Sequence, residues 1–353
     1  MHQFSELITQ AIQMNASDLH LSSGRPASCR VDGKIVPMDD QKLTPDDIEA
    51  IVGAIIGHQQ QTTLDEKGEV DFAYSVHGLG RFRVNVFRQR GTLAMAARIL
   101  NSSIPEPAKL GIPDSVVEMT RKKRGLVLVT GATGSGKSTT LASLINIINH
   151  NYSYHILTLE DPVEYLHRHE KSIVNQREIG SDSLSYAASL RAALRQDPDV
   201  ILVGEMRDLE TISIAVTAAE TGHLVFSTLH TIGAANTIDR IIDVFPPYQQ
   251  QQIRTQLADV LECVVSQQLM PRKSGSGRVA AMEVMIANSA IRSHIRDAKT
   301  FQIPSVLQTN RRAGMITMDD AIYELYVRGD ITREIALRFS QNLQYLSKRI
   351  DGI

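Results

Sequence analysis

With 353 residues, 42% of them hydrophobic and 22% charged, the chain is long enough to bury a sizeable core and to divide into two domains. A formal net charge of −2 argues against a nucleic-acid binder that gains its affinity by neutralising phosphates, and two distant cysteines, Cys29 and Cys263, support neither a disulfide framework nor a zinc cluster. The N-terminus lacks a signal-like apolar core and no run approaches the roughly 18 apolar residues that span a bilayer, so a cytoplasmic location with reduced, inert thiols is expected.

Phe4, Leu7, Ile8, Ala11 and Ile12 recur at helical spacing, after which Asp18-Leu19-His20-Leu21 alternates as a strand. The segments 28–31 and 34–36 flank Asp32-Gly33, a dipeptide that tolerates the positive φ of a tight hairpin turn. Thr44 caps a helix that has Pro45 and acids in its first turn, ends near Gly57, and turns Ile48, Ile51, Val52 and Ile55 inward. Residues 70–99 alternate again, with breaks at 77–80 and 90–91, and predict three antiparallel strands. Residues 1–100 therefore read as an α+β domain. The Pro-rich, polar stretch 101–113 reads as a linker, followed by a second domain over 114–353.

The second domain opens on the most informative stretch of the chain. An apolar run at 125–130 leads directly into Gly131, Ala132, Thr133, Gly134, Ser135, Gly136, Lys137, Ser138 and Thr139, with G-x-x-x-x-G-K-S spacing, and an apolar helical pattern follows. Glycines let backbone N–H groups turn toward one anion, Lys137 reaches the β- and γ-phosphates, and the Ser138 hydroxyl can ligate Mg²⁺. An ordinary Gly-rich turn would not need both the strand before and the helix after. ATP and Mg²⁺ are the expected cofactors.

Strands expected at 155–160, 200–204 and 224–228 alternate with helices near 183–196 and 208–221, which makes an α/β, doubly wound nucleotide-binding core. The strand at 155–160 ends on carboxylates Glu160, Asp161 and Glu164, candidates to supply a metal's outer carboxylate, with an acidic turn capping a helix as the plainer alternative. The strand at 200–204 delivers Glu205 after Gly204, where an ATPase of this kind usually has an Asp before the Glu, so the metal needs an outer carboxylate from elsewhere, and Glu205 is the candidate base for the attacking water. His223 and His230 bracket the next strand; a lone His is more often structural, but His230 emerges at the C-terminal end, where open α/β sheets bind ligands. Beyond Pro246-Pro247 the pattern predicts a helical C-terminal part, with one long helix marked by Ile253, Leu257, Val260, Leu261, Val264 and Val265 and later helices beginning at Thr317 and Thr332.

Four stretches in this order, 131–139, 158–165, 197–208 and 217–231, resemble the Walker A, Asp box, atypical Walker B and His box of secretion ATPases, and within them the retraction ATPases of type IV pili. The resemblance covers nearly the whole chain, from Ala16-Ser-Asp-Leu-His-Leu to Gly314-Met-Ile-Thr-Met-Asp. It implies a PAS-like N-terminal domain, a RecA-like ATPase domain with a helical subdomain from about 246, and a homohexameric ring with ATP between the domains. It further implies Glu160 as a metal and water ligand, Glu205 as catalytic carboxylate, His223 and His230 as sensors of nucleotide state, and N-terminal arginines, Arg81, Arg83 or Arg98 here, reaching the phosphates. The implied partner is the inner-membrane platform protein of the pilus, which would hold the ring peripherally at the cytoplasmic face of that membrane.

Ala290-Ile-Arg-Ser-His-Ile-Arg296 resembles the retraction motif of that family, with Ser293 and His294 where the motif has Asn and Leu; its plainer reading is an amphipathic packing helix. Extension and type II secretion ATPases share the nucleotide motifs but carry a four-cysteine zinc insertion and an extra N-terminal domain, for which two cysteines and about 100 residues leave no room. An accessory retraction ATPase, and from a different class a RecA-like nucleic-acid motor or a nucleotide-binding module without turnover, are the alternatives.

Overall fold

A computed structural model of the chain describes residues 4–31, 33–100 and 103–352. It divides into two compact units, Met1–Ser103 with Glu164–Leu166, and Ile104–Val163 with His167–Ile353.

The alternating segments of the first unit pair into an antiparallel sheet. Its strands are β1 (Asp18–Ser22), β2 (Pro26–Val31), β3 (Lys34–Lys42), β4 (Glu69–Val76), β5 (Gly80–Gln89) and β6 (Thr92–Ile99), ordered β3-β2-β1-β6-β5-β4. Period two puts Leu19, Leu21, Phe82, Val84, Val86, Met95 and Ala97 on one buried face, which the helices Phe4–Gln13 and Pro45–Ile55 cover with Phe4, Leu7, Ile8, Ile48, Ile51 and Val52. Phe4 meets Tyr74 and Phe82 edge-on, at centroid distances of 5.5 and 6.2 Å. Thr44 and Asp47 form a reciprocal capping box that fixes the start of the second helix. Gly33 takes φ of +81° in the β2–β3 turn, while Asp32 lies outside the described residues. A further helix, His58–Lys67, has no apolar stripe to announce it and buries only Leu64.

In the second unit β7 (Gly125–Thr130), β8 (His155–Glu160), β9 (Ile173–Glu178), β10 (Val200–Val203), β11 (Leu224–Leu229), β12 (Leu261–Pro271) and β13 (Arg278–Ile286) form one sheet, ordered β13-β12-β7-β11-β10-β8-β9. All neighbours are parallel except β12 and β13. Strands β7, β10 and β11 are buried at every residue, because helices cover both faces: Leu126 and Leu128 enter one core, Val127 and Val129 the other. Thr130, Glu160, Val203 and Leu229 therefore end at a common C-terminal edge, where the phosphate loop also begins. Both cysteines are buried, and desolvation pushes the thiols up to about 11 at Cys29 and about 12 at Cys263.

Three expectations change. The stretch read as a linker over 101–113 begins on residues outside the described set, and 104–113 belong to the second unit: Pro107 opens a short helix, Pro107–Leu110, and Ile112 is buried with Val116 against Leu141 and Ile145. Prolines serve a first helical turn as well as a linker, and composition does not separate the two uses. The long helix expected through Val265 stops at Val260, and Leu261–Pro271 becomes β12 beside β7. A continuous apolar run fits a buried strand as well as a helix, and the β-branched pair Val264-Val265 favours the strand. The C-terminal part is therefore not helical from 246 onward: β12 and β13 intervene before the helices Met318–Val327, Arg333–Phe339 and Leu343–Asp351 close over Met270 and Ala281.

Phe82 is fully buried at the centre of the first unit, so Phe82→Ala should lower that unit's stability by about 3–5 kcal/mol. Differential scanning calorimetry would register an early transition, and an unchanged thermogram would contradict this packing.

Candidate functional site

The phosphate loop is shaped by what lies beneath it. Gly131, Gly134 and Gly136 take φ of +142°, +78° and +91°. A Cβ at position 131 would stand 2.3 Å from the Gln267 carbonyl oxygen, and one at 136 would stand 2.8 Å from Gln267 Nε2. Only glycine fits at both positions. Gln267, from β12, donates to the Ser135 carbonyl (2.8 Å) and accepts from the Thr140 hydroxyl (2.8 Å), which ties the loop to the first turn of helix Lys137–Asn151. The Lys137 ammonium turns back onto the carbonyls of Gly131 (2.8 Å) and Ala132 (3.0 Å), inside the loop, while Thr133 and Gly134 are exposed and Ser138 and Thr139 half-buried at the helix start. That start turns the positive end of the helix dipole toward an anion.

Glu160 closes β8, where its Oε1 accepts from the Thr158 hydroxyl (2.6 Å) and from Gln176 Nε2 on β9 (3.2 Å). Gly204 lies on the adjacent strand end, with its N–H on the Leu159 carbonyl at 2.7 Å. A Cβ there would come within 2.9 Å of the Tyr186 hydroxyl and 3.0 Å of the Leu159 carbonyl oxygen. The carboxylate usual at this place in such ATPases has no room, and the next strand over carries Glu160 instead. Among the described residues no group of three His, Cys, Asp or Glu could hold a metal alone. Ser138 and Glu160 thus fit a hard cation that takes its remaining oxygens from phosphate and water, as Mg²⁺ does.

Glu205, directly after β10, receives His230 Nε2 at 3.0 Å and Arg207 Nη2 at 2.8 Å on Oε2, while Arg207 Nε pairs with Oε1. The other His230 nitrogen, Nδ1, lies 3.4 Å from the Thr133 hydroxyl of the phosphate loop. Burial, then the charges of Lys137 and Arg207, hold the His230 pKa below its usual value, so the ring is neutral near pH 7. A carboxylate only accepts, so Nε2 carries the proton and Nδ1 accepts from Thr133. One neutral imidazole thereby links phosphate loop to candidate base.

His223 precedes β11, bonded to the Ala218 carbonyl (2.9 Å), and its own carbonyl accepts from Gly125 at the start of β7. A strand's length separates it from His230, about 20 Å at ~3.3 Å per residue, so His223 does not join this site within the chain. Arg81 and Arg83 on β5 and Arg98 on β6 share the sheet face opposite Phe82 and Val84; Arg83 lies 3.9 Å from Asp71, and Arg98 donates to Asp18 at 3.0 Å. The helix Ser289–Arg296 buries Ile291 and Ile295, and its arginines hold the C-terminal end of helix Pro247–Val260: Arg292 donates to the Ala258 and Asp259 carbonyls and Arg296 to the Asp259 carboxylate.

Sequence reasoning missed Gln267, Arg207 and the pair Ser266 and Glu283. Ser266 Oγ accepts from the Gly233 N–H (2.8 Å), and Glu283 from the Ala234 N–H (2.7 Å), directly behind the His230 segment. A lone carboxylate in the apolar run 279–286 was the available signal.

The model of the type II/IV secretion system protein family matches residues 2–338. The type IV pilus retraction ATPase PilT of Pseudomonas aeruginosa is 46% identical over 94% of this chain and 96% of its own, and the type IV pilus ATPase PilU of the same organism is 39% identical over 95% and 88%. A crystal structure of the pilus retraction motor PilT with bound ADP superimposes with a TM-score of 0.93 at 50% identity, covering 99% of this chain and all of that one.

Because Gly204 has no space for a side chain, Gly204→Asp should destabilise the second unit by about 1–3 kcal/mol without restoring a metal ligand. An unchanged melting temperature in that variant would show that the strand ends have slack they are not credited with.

Proposed function

The chain belongs to the type II/IV secretion system protein family, and on that footing we propose that it is an ATP-hydrolysing motor powering type IV pilus retraction. The observation that carries hydrolysis is the convergence of Lys137, Glu160 and Glu205 at one sheet edge, with His230 between the phosphate loop and Glu205. The pilus assignment rests on end-to-end likeness to PilT, which exceeds that to PilU.

Loop N–H groups 131–139 cradle the phosphates, and Lys137 leaves the Gly131 and Ala132 carbonyls for the β- and γ-phosphates. Ser138 and Glu160 would hold Mg²⁺, which would supply neutralising charge to the phosphates. Glu205, with lone pairs of its carboxylate freed from Arg207, takes the proton of the attacking water, while His230 keeps the carboxylate aimed. Arg81, Arg83 or Arg98 is proposed to stabilise charge on the transferring phosphoryl group, for which a guanidinium fork is suited. The working form is proposed to be a homohexameric ring, since head-to-tail contacts close when their rotation does. It would act from the cytoplasmic face of the inner membrane, held there by the platform protein of the pilus; no described helix is long and apolar enough to cross a membrane.

Glu205→Gln should retain ATP and lose turnover by about 100-fold or more, since only the proton acceptor changes. Hydrolysis at the parental rate would remove Glu205 from the role of base. For the pilus assignment, a strain lacking the chain should keep its surface pili and fail to retract them. Loss of the pili themselves would point to extension.

A further inference from the structure

Glu283 sits on β13, 6% exposed, where no step of hydrolysis calls for a carboxylate. Its two oxygens are divided between two helices. Oε1 accepts from the N–H of Ala234, first residue of helix Ala234–Asp243, and Oε2 accepts at 3.1 Å from the N–H of Met318, first residue of helix Met318–Val327. Both are main-chain donors at positive dipole ends, so one carboxyl group satisfies the first N–H of two helices. Burial raises its pKa and the two N–H bonds oppose that rise, with the nearby Asp319 adding to it. A cavity of about 340 Å³, lined by Ala234, Glu283, Met318, Asp319 and Tyr345 among others, borders the same carboxylate.

Four residues upstream of Ala234 is His230. The intervening segment is pinned at Gly233 by Ser266, which pairs with Glu283 across β12 and β13, and Thr231 and Thr237 bond to each other at 2.8 Å behind it. We propose that Glu283 is a positioning residue for the nucleotide site: it sets where helix Ala234–Asp243 begins, hence where His230 meets Glu205 and Thr133, and it makes that position depend on the C-terminal helix that shares the carboxylate. This rests on the ATPase reading above. A shift of helix Met318–Val327 moves the acceptor, and the acceptor moves the His230 segment.

The experiment is a double-mutant cycle in the full chain, read as steady-state ATP turnover. Glu283→Ala should lower kcat by about ten- to a hundredfold with a smaller change in KM, the scale seen when a supporting contact to a functional group is removed. Ala234→Pro removes the N–H on the His230 side and sets proline ring carbons against the Glu283 oxygen, at a first helical position whose φ suits proline, and should reproduce the loss with Glu283 in place. In a His230→Ala background, Glu283→Ala should cost less than about twofold more, because its effect runs through His230. Effects that multiply instead would overturn the proposal. Amide hydrogen exchange supplies a readout independent of turnover: in Glu283→Ala both Ala234 and Met318 should exchange faster, and protection of either at the parental level would also overturn it. If the parent chain fails to hydrolyse ATP, it is the ATPase reading that falls, and the exchange result still decides whether Glu283 ties the two helices together.

Discussion

The phosphate loop can exist in this form only because Gln267 runs directly beneath it. Backbone N–H groups aimed at one anion repel each other, and such a loop holds its shape only where something rigid braces it. Here β12 comes so close that the Gln267 main-chain carbonyl would lie 2.3 Å from a Cβ at position 131, and the side chain of the same residue bonds Ser135 and Thr140. Much else follows from that approach. Helix Pro247–Val260 must end in time for the chain to re-enter the sheet beside β7, and Arg292 and Arg296 seal the helix end where it does. The C-terminal segment thus braces the phosphate loop through Gln267 and the segment after β11 through Ser266 and Glu283.

Close packing also explains the placement of charge. At the ends of β8 and β10 a side chain at position 204 would crowd the Leu159 carbonyl and the Tyr186 hydroxyl, and the nearby acidic group is Glu160, which Thr158 and Gln176 hold from the same strand and the next. Glu205 stays one residue further on, its carboxylate shared by His230 and Arg207. An exposed arginine contributes little to stability in such a pair, which suits a contact that has to open before a water can be deprotonated.

The phosphate loop, Glu160, Glu205 and His230 were legible because each belongs to a short local pattern: fixed spacing after a strand, or a polar residue at the C-terminal end of an apolar run. Gln267 and Glu283 were not, since their partners lie more than a hundred residues away at Ser135 and Thr140, or 49 and 35 residues away at Ala234 and Met318. Strand β9 escaped because its sequence, Ile-Val-Asn-Gln-Arg-Glu, is that of a half-exposed edge, and β12 was mistaken for helix because burial on both faces erases the period. Strand direction alone puts His223 at the opposite end of β11 from His230 within the chain.

The central claim is that this edge of the sheet hydrolyses a nucleoside triphosphate and does more than bind one. Its most direct test is phosphate release by the purified full chain supplied with ATP, in Mg²⁺ and again after chelation. The arrangement of Lys137, Glu160 and Glu205 predicts steady multiple-turnover release that stops when the cation is removed and resumes when it is restored. ATP bound tightly in Mg²⁺ with no phosphate released over many hours would contradict it.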